Sequence, residues 1–216
     1  PNTPYAILAE VGNSLVSRIG ASIAYDTRNS TLLPDAGQRT ELSTDLAGGI
    51  LGGEKSYYKI EAKSAWYFRG FGKGHVLEVA GRLGVAQGFG GQDVPFYDRY
   101  YLGGLYSLRG FEYRAISPRD PTYGINPTMP NEPIGGDTYW FGTAEYSIPI
   151  IQKDKVGGVR AAIFYDVGSV ARRAYDFTAK GYSANWGFGL RLNLPIGPLR
   201  LDYGIPIKYD QFSNGD

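Results

Sequence analysis

A short arginine-containing segment and two later carboxylates are the residues whose types and spacing most favour a specific interaction. Arg109 is followed by Gly110 and Phe111, and the glycine leaves the guanidinium unobstructed. Glu145 and Asp166 fall on the polar positions of two segments in which polar and apolar residues alternate. An arginine in a low-dielectric interior needs carboxylate partners, because an unpaired buried charge is very unfavourable. We therefore predict that Arg109 pairs with Glu145 and Asp166.

The same tripeptide occurs earlier in the chain, at Arg69, Gly70 and Phe71. Taken in isolation, an Arg-Gly-Phe sequence more often marks an exposed arginine in a flexible loop than a specific interaction. The earlier copy lies in a short connection between two predicted strands, so we expect it only to reverse the chain. The surroundings of the second copy must therefore distinguish it.

Patterns typical of enzymes are sparse. The chain has no Cys and a single His, so disulfide frameworks, thiolate metal sites and His-rich metal sites are excluded. A Ser/His/Asp triad would have to use His75, which is expected to begin a strand at a barrel rim, and there is no G-x-S-x-G sequence. Gly88, Gly90 and Gly91 precede no helical pattern, which argues against a phosphate-binding loop. An arginine partner would keep the two carboxylates ionised, so we predict no catalytic site, no metal and no cofactor.

Composition narrows the classes of protein to which this chain can belong. The 22 basic and 21 acidic residues give a net charge of +1 and no electrostatic footprint for nucleic acid. Tyr and Gly are abundant, at 18 and 31 residues. No apolar run approaches the roughly 18 residues of a transmembrane helix, so a membrane location would have to use strands. The chain shows neither an initiator Met nor a signal peptide, and we therefore expect an excised or processed fragment.

Alternation of polar and apolar residues is the dominant pattern and predicts an all-β chain. We expect an antiparallel transmembrane β-barrel of eight meander strands, either closed as a small barrel or forming half of a larger one. The predicted strands are residues 18–26, 40–48, 58–68, 77–85, 140–148, 159–168, 185–194 and 199–205.

The orientation of the two strand faces is not decided by alternation alone, since a soluble lipocalin-like binder would place the apolar positions inside. Three features favour lipid outside: strands about as long as a tilted membrane strand, small residues on the charged face, and aromatic residues near strand ends. The aromatic residues are Tyr57, Tyr58, Phe68, Tyr139 and Trp140. Connections also alternate in length, as they do in membrane barrels. The short ones are 69–74, 151–158 and 195–198, and the longer ones are 49–56, 86–138 and 169–183.

The surroundings of Arg109 resemble the BamA family of outer-membrane assembly proteins, whose sixth extracellular loop folds back into the barrel. The matching loop residues are Gly103, Gly104, Ser107, Arg109, Gly110 and Phe111. A family turn motif is matched by Asp26, Arg28, Pro34 and Gly37. Residues 164–170 and 195–207 resemble two of the family's strands, so the resemblance covers nearly the whole chain. It implies that Glu145 and Asp166 hold the loop arginine.

The resemblance also implies a function, namely insertion and folding of barrel proteins in the bacterial outer membrane. The implied partners are the lipid bilayer, unfolded outer-membrane protein clients and the lipoproteins of an assembly complex. Members of the family carry periplasmic POTRA domains and sixteen strands, of which this chain matches the eighth to the fifteenth. We therefore expect residues 1–216 to be a single barrel-domain fragment with the long extracellular-type loop 86–138, no POTRA domains and no last strand, since the chain stops at QFSNGD.

Two other functions remain open at this point. Relatives that share the loop signature include two-partner secretion or translocation pores. Alternatively, the eight strands form a small structural barrel without activity. A lumen of eight strands is too narrow for the loop 86–138, so either the loop lies outside or two copies pair through their free edges as a homodimer.

Overall fold

The structure, a computed structural model, describes residues 8, 10–120, 131–151, 158–177, 181–194 and 197–209. The connections 152–157 and 195–196, loop residues 121–130 and the terminal QFSNGD lie outside these residues. The strands are β1 (Arg18–Asp26), β2 (Gly37–Ala47), β3 (Tyr57–Arg69), β4 (Val76–Gly88), β5 (Thr138–Ile151), β6 (Val159–Ala171), β7 (Ser183–Leu194) and β8 (Gly197–Lys208). Short 3-10 helices occupy Gly49–Leu51 and Phe96–Asp98. No helix in the described ranges is long and apolar enough to cross a membrane.

The eight strands form one antiparallel sheet in chain order, from β1 to β8. This confirms the predicted all-β meander. β1 and β8 lie at the two ends of the sheet and are not paired with each other in the described part of the chain. The sheet is therefore open, as part of a barrel would be, rather than a small closed barrel.

Every strand except β1 extends further than alternation predicts at one end or both, as β2 and β5 show. β2 begins at Gly37 rather than residue 40, and β5 runs over Thr138–Ile151 rather than 140–148. In both places the backbone ladder continues beyond the amphipathic pattern, since Gly37 still pairs with Tyr67 of β3. Backbone pairing requires no particular side chain, so the hydrophobic period underestimates strand length.

In a soluble β-protein the apolar face of a sheet is buried and the polar face is exposed, and in this sheet the reverse holds. Apolar positions are open, with Ile23 at 73% and Ile163 at 53% relative exposure. In β5 to β7 most positions of the other parity are covered, and Phe164, Asp166 and Asn185 are almost completely buried. The covered polar face is therefore the one that positions the candidate site.

The β4–β5 loop covers this polar face. Backbone bridges join Tyr100 to Gly136 and Leu102 to Ile116, so the loop has its own internal structure. Its buried apolar residues pack with strand residues into the main core. The core comprises Ala47, Tyr57, Ala86, Val94, Tyr100, Leu102, Leu108, Ile116, Tyr139, Phe141 and Val170.

The core contains two of the aromatic residues that were expected in an interfacial girdle. Tyr57 and Tyr139 are buried, and their hydroxyls donate to Asp98 and Glu61, respectively. The expectation was wrong for these two, because consecutive strand residues point to opposite faces. Tyr58 and Trp140, their immediate neighbours, occupy the apolar face.

Candidate functional site

Arg109 of the β4–β5 loop lies at the centre of a buried ion-pair network on the polar face. Its Nε and Nη2 atoms donate to the two carboxylate oxygens of Asp166, at 2.8 and 2.7 Å. Nη1 donates to Oε2 of Glu145 at 2.7 Å, and Nη2 also donates to Oγ1 of Thr143 at 3.0 Å. The side chain of Arg109 is 5% exposed and that of Asp166 is fully buried. Bidentate pairing of this kind fixes both the position and the orientation of the guanidinium.

The sheet register brings the acceptors of Arg109 together. Thr143 of β5 pairs with Asp166 of β6, which pairs with Asn185 of β7. Asp166 accepts hydrogen bonds from Thr143 Oγ1 at 2.6 Å, Asn185 Nδ2 at 3.0 Å and the Arg109 backbone N–H at 3.3 Å, besides the guanidinium. These donors offset the cost of burying the carboxylate.

The adjacent row of the sheet makes room for the loop. Glu145, Phe164, Gly187 and Gly204 are successive register partners across β5 to β8. The guanidinium carbon of Arg109 lies 3.5 Å from the centroid of the Phe164 ring, a cation–π contact. Any side chain at Gly187 would collide with that ring, and any at Gly204 would collide with the loop backbone. Both glycines are therefore needed for the loop to lie this close to the sheet.

Two further arginines, Arg191 and Arg200, belong to the network. Arg191 of β7 donates to both carboxylate oxygens of Glu145, at 2.8 and 2.6 Å, and to Oδ1 of Asp202 at 2.6 Å. Arg200 of β8 adds a longer contact of 3.3 Å to Glu145. Three arginines thus face the carboxylates of Glu145, Asp166 and Asp202, and Glu78 of β4 lies beside them as the register partner of Glu145.

The loop signature forms a compact turn around Arg109. The Gly103 N–H donates to Oγ of Ser107 at 2.9 Å, and the Gly104 N–H donates to the Phe111 carbonyl at 3.0 Å. Gly103 has a φ of 106°, and a Cβ there would lie 2.2 Å from a backbone oxygen, so only glycine fits. Gly110 is equally confined, since its Cβ would meet Asn185 at 2.8 Å. All six signature residues therefore belong to one structural unit.

The predicted turn motif lies elsewhere, between β1 and β2. Arg28 donates from Nε and Nη2 to the carboxylate of Asp26, at 2.9 and 2.7 Å. Gly37 has a φ of 97°, and a Cβ there would lie 2.3 Å from the Thr27 carbonyl oxygen. Pro34 occupies the same connection. These residues shape a chain reversal, and they do not contact the Arg109 network.

The chemistry of the network is structural rather than acid–base. Burial alone would lower the pKa of Arg109, but hydrogen bonds to Asp166 and Glu145 outweigh it and raise the pKa above its ordinary value. The guanidinium therefore keeps its charge and cannot transfer a proton at any ordinary pH. Within the described ranges, no group of three or more His, Asp or Glu side chains is arranged to hold a metal ion.

Asp137, at the end of the long loop, titrates in an accessible range. Burial raises its pKa to about 6, although Arg99 Nε lies 3.8 Å from Oδ1. The folded state therefore favours the protonated acid and is destabilised by the carboxylate above this pKa. Lowering the pH from about 7 through the folded pKa should raise the free energy of unfolding by about 1 to 2 kcal/mol, allowing for partial solvent exposure. The gain should end near the ordinary pKa of 3.8.

Denaturant unfolding in detergent across this pH range measures the effect. Asp137→Asn should remove this part of the pH dependence, whereas Glu112→Gln, at an exposed position of the same loop, should keep it. An unchanged pH profile in Asp137→Asn would show that another group is responsible.

Sequence reasoning missed several residues of the network. Thr143, Asn185, Arg191 and Asp202 were not singled out, although all lie on the polar parity of their strands. Strand parity alone could have identified them as candidates for the polar face. Their proximity to Arg109 depends on the register across four strands, which parity does not supply.

Comparisons with known proteins agree with this geometry. The family model of the Omp85 superfamily domain matches residues 2–215. The chain is 31% identical over 204 residues to an outer membrane protein assembly factor BamA of Nitratidesulfovibrio vulgaris, covering 91% of this chain and 24% of that protein. It is 27% identical to a sorting and assembly machinery component 50 homolog B of Xenopus laevis, covering 94% and 44%.

A solved structure is similar as well. The crystal structure of BamA from Haemophilus ducreyi lacking POTRA domains 1–3 superposes with a TM-score of 0.77 at 28% identity, covering 89% of this chain and 39% of that chain. The chain thus spans less than half the length of each of these relatives.

Proposed function

The chain belongs to the Omp85 superfamily, and from this premise we propose that it is part of a β-barrel that assembles and inserts barrel proteins into the outer membrane of a bacterium. The observation that carries the proposal is the match of the family model to almost the whole chain. Relatives named as an assembly factor and as sorting and assembly machinery support the same activity. The bacterial location rests on the bacterial relatives, since a vertebrate protein matches too.

A barrel that opens at its seam has a physical means for this activity. A terminal strand carries unpaired backbone N–H and C=O groups, on which an incoming strand can add by β-augmentation. By the family resemblance the seam strands lie outside this chain, so β1 and β8, exposed over all and most of their length, stand in for the seam as the edges on which strand addition can be measured. The activity would be non-enzymatic, with the lipid bilayer, unfolded outer-membrane clients and assembly-complex lipoproteins as partners.

The Arg109 network has a supporting part in this proposal. By pinning the β4–β5 loop onto β5 to β8, it holds the polar face of the sheet in one shape. Glu145 and Asp166 act as the fixed acceptors, and Gly103, Gly104, Ser107, Gly110 and Phe111 form the turn that presents the arginine. A translocation pore would require this loop to leave the polar face.

The exposed edges also support a homodimer as a second arrangement. Within the described residues, β1 and β8 each have one unpaired edge, and such a sheet can complete its hydrogen bonding with a second copy. Two open sheets joined in this way would enclose a lumen wide enough for both loops.

Disulfide trapping tests the edge mechanism, since the chain has no cysteine of its own. Single cysteines would replace Ile23 of β1 or Leu201 of β8, with Val79→Cys of β4 as a matched control on the same apolar face. The chain would be reconstituted in bilayers and mixed with an unfolded barrel client that carries one cysteine in its terminal strand.

We expect client adducts at Ile23 or Leu201 and not at Val79. Equal trapping at all three positions, or none at the edges, would reject edge-templated assembly. In the double variant Ile23→Cys/Leu201→Cys without client, an intermolecular adduct supports the homodimer, whereas an intramolecular one shows that the sheet closes on itself.

A further inference from the structure

The first Arg-Gly-Phe copy forms an exposed aromatic and basic turn between β3 and β4. The Phe71 side chain is fully exposed, at 104% of its reference area. Arg69 is 76% exposed on one side of it, and Lys73 is exposed on the other. An apolar ring flanked by two cations is an unusual tip for a turn that only has to reverse the chain.

The exposure of Phe71 is enforced by a fixed backbone. The Gly70 N–H donates to the His75 carbonyl at 2.9 Å, and the Phe71 N–H donates to the Tyr146 hydroxyl at 3.2 Å. The same hydroxyl lies 2.9 Å from Nδ1 of His75. A Cβ at Gly70 would lie 2.7 Å from this hydroxyl, so the turn can dock on Tyr146 only with glycine there.

This docking directs Phe71 toward the apolar face of the sheet. Tyr146 projects from β5 on that face, and its ring lies 6.2 Å from the ring of Phe71. Trp66 and Phe68 of β3, stacked at 6.4 Å and about half exposed, extend the aromatic surface beside the turn. Phe71 therefore continues the apolar face beyond the strand ends and does not turn toward the polar face.

A shallow apolar depression borders the other side of Tyr146. It has a volume of about 250 Å³ and is lined by Leu77, Ala144, Tyr146, Ile163, Tyr165 and Trp186, together with Phe164. One continuous surface thus combines an apolar depression, an aromatic rim and two cations at the outer edge. This order matches the order of acyl chain, interface and phosphate in a phospholipid.

We propose that the turn of residues 69–75 is a membrane-interface anchor that binds phospholipid headgroups, with Phe71 inserted below the phosphates that Arg69 and Lys73 contact. Among the described residues, Asp35 forms the ion pair at this turn, with its Oδ1 3.5 Å from Arg69 Nε; Arg69 is largely and Asp35 partly exposed, so their pairing is weak. Anionic headgroups are therefore favoured over zwitterionic ones. The inference rests on the proposed function only in placing the sheet in a bilayer.

A single nitroxide label tests the anchor. Phe71→Cys carries the label, and collisions with membrane-soluble oxygen and a water-soluble nickel chelate report its depth. The full chain would be placed in phosphatidylcholine vesicles with and without phosphatidylglycerol. We expect a label that is more accessible to oxygen than to nickel, most strongly with phosphatidylglycerol. Adding Arg69→Gln and Lys73→Gln should lower the ratio of inserted to withdrawn label by about fivefold per cation in the anionic vesicles.

Two further labels make the outcome decisive. Tyr106→Cys, at an exposed position of the β4–β5 loop, defines the signal of a water-exposed label, and Ile163→Cys, on the apolar face of β6, defines that of a lipid-facing one. A Phe71 label as accessible to nickel as the Tyr106 label, while Ile163 remains accessible to oxygen, would overturn the anchor alone. Nickel access at Ile163 as well would instead contradict the membrane placement on which the proposed function depends.

Discussion

Arg109→Ala is expected to lower the free energy of unfolding by about 3 to 5 kcal/mol, because it leaves buried carboxylates without their cation. Asp166 is fully buried, and the arginine supplies three of its five hydrogen bonds. Only the two side-chain bonds disappear with the guanidinium, but they carry the compensating charge. Denaturant unfolding in detergent and the fraction of heat-resistant folded chain on electrophoresis measure the loss. Client assembly should fall in parallel.

The earlier tripeptide provides a matched control. Arg69→Ala removes the same side chain from the same Arg-Gly-Phe sequence, but at a position that is 76% exposed, so stability should change by no more than about 0.5 kcal/mol. Arg109→Lys keeps the charge but loses the bidentate geometry and should lie between wild type and Arg109→Ala. Equal stability of Arg109→Ala and Arg69→Ala would mean that the network does not hold the loop.

Gly204→Ala should displace the same loop without removing any charge. A Cβ at Gly204 would lie 2.5 Å from the Gly110 nitrogen and 2.7 Å from the Arg109 carbonyl carbon. Both are backbone atoms, so the clash can be relieved only if the loop moves away from β8. Overpacking of this kind costs about 1 to 3 kcal/mol. Hydrogen exchange of loop amides around Leu102 and Ile116 should rise well above that of the strand amides.

A second glycine separates this steric effect from the general cost of changing a strand glycine. Gly142→Ala, in β5, would place its Cβ no closer than 3.7 Å to any neighbour, which is ordinary contact. It should leave loop exchange unchanged and unfolding within about 0.5 kcal/mol of wild type. If Gly204→Ala behaves like Gly142→Ala, the loop does not lie against β8 in the protein.

The fold could be predicted because its main signal repeats at short range. Alternation identified every strand from β1 to β8, and the family model and the BamA structure agree with that interpretation. The same parity placed Glu145 and Asp166 on the face where the structure has them, within reach of Arg109. Their role in holding the loop stays a prediction until the variants are measured.

What the sequence could not supply depends on register and on three-dimensional proximity. Arg191 and Asp202 meet Glu145 only because β7 and β8 pair in one particular alignment. The close approach of the β4–β5 loop backbone to Gly204 could not be predicted either, since a glycine within a strand can have several structural causes. The expected position of Tyr57 and Tyr139 was wrong for a simpler reason: closeness to a strand end does not say which face a side chain occupies, whereas strand parity does.

The acceptors of the ion-pair network all follow Arg109 in the sequence. Every described side chain that contacts the Arg109 guanidinium lies after it in sequence, from Thr143 of β5, 34 residues later, to Asp202 of β8. A chain made from its amino terminus therefore exposes the arginine before any of its acceptors exists. Docking of the loop must wait for β5 to β8, so a docked arginine reports that this half of the sheet is finished.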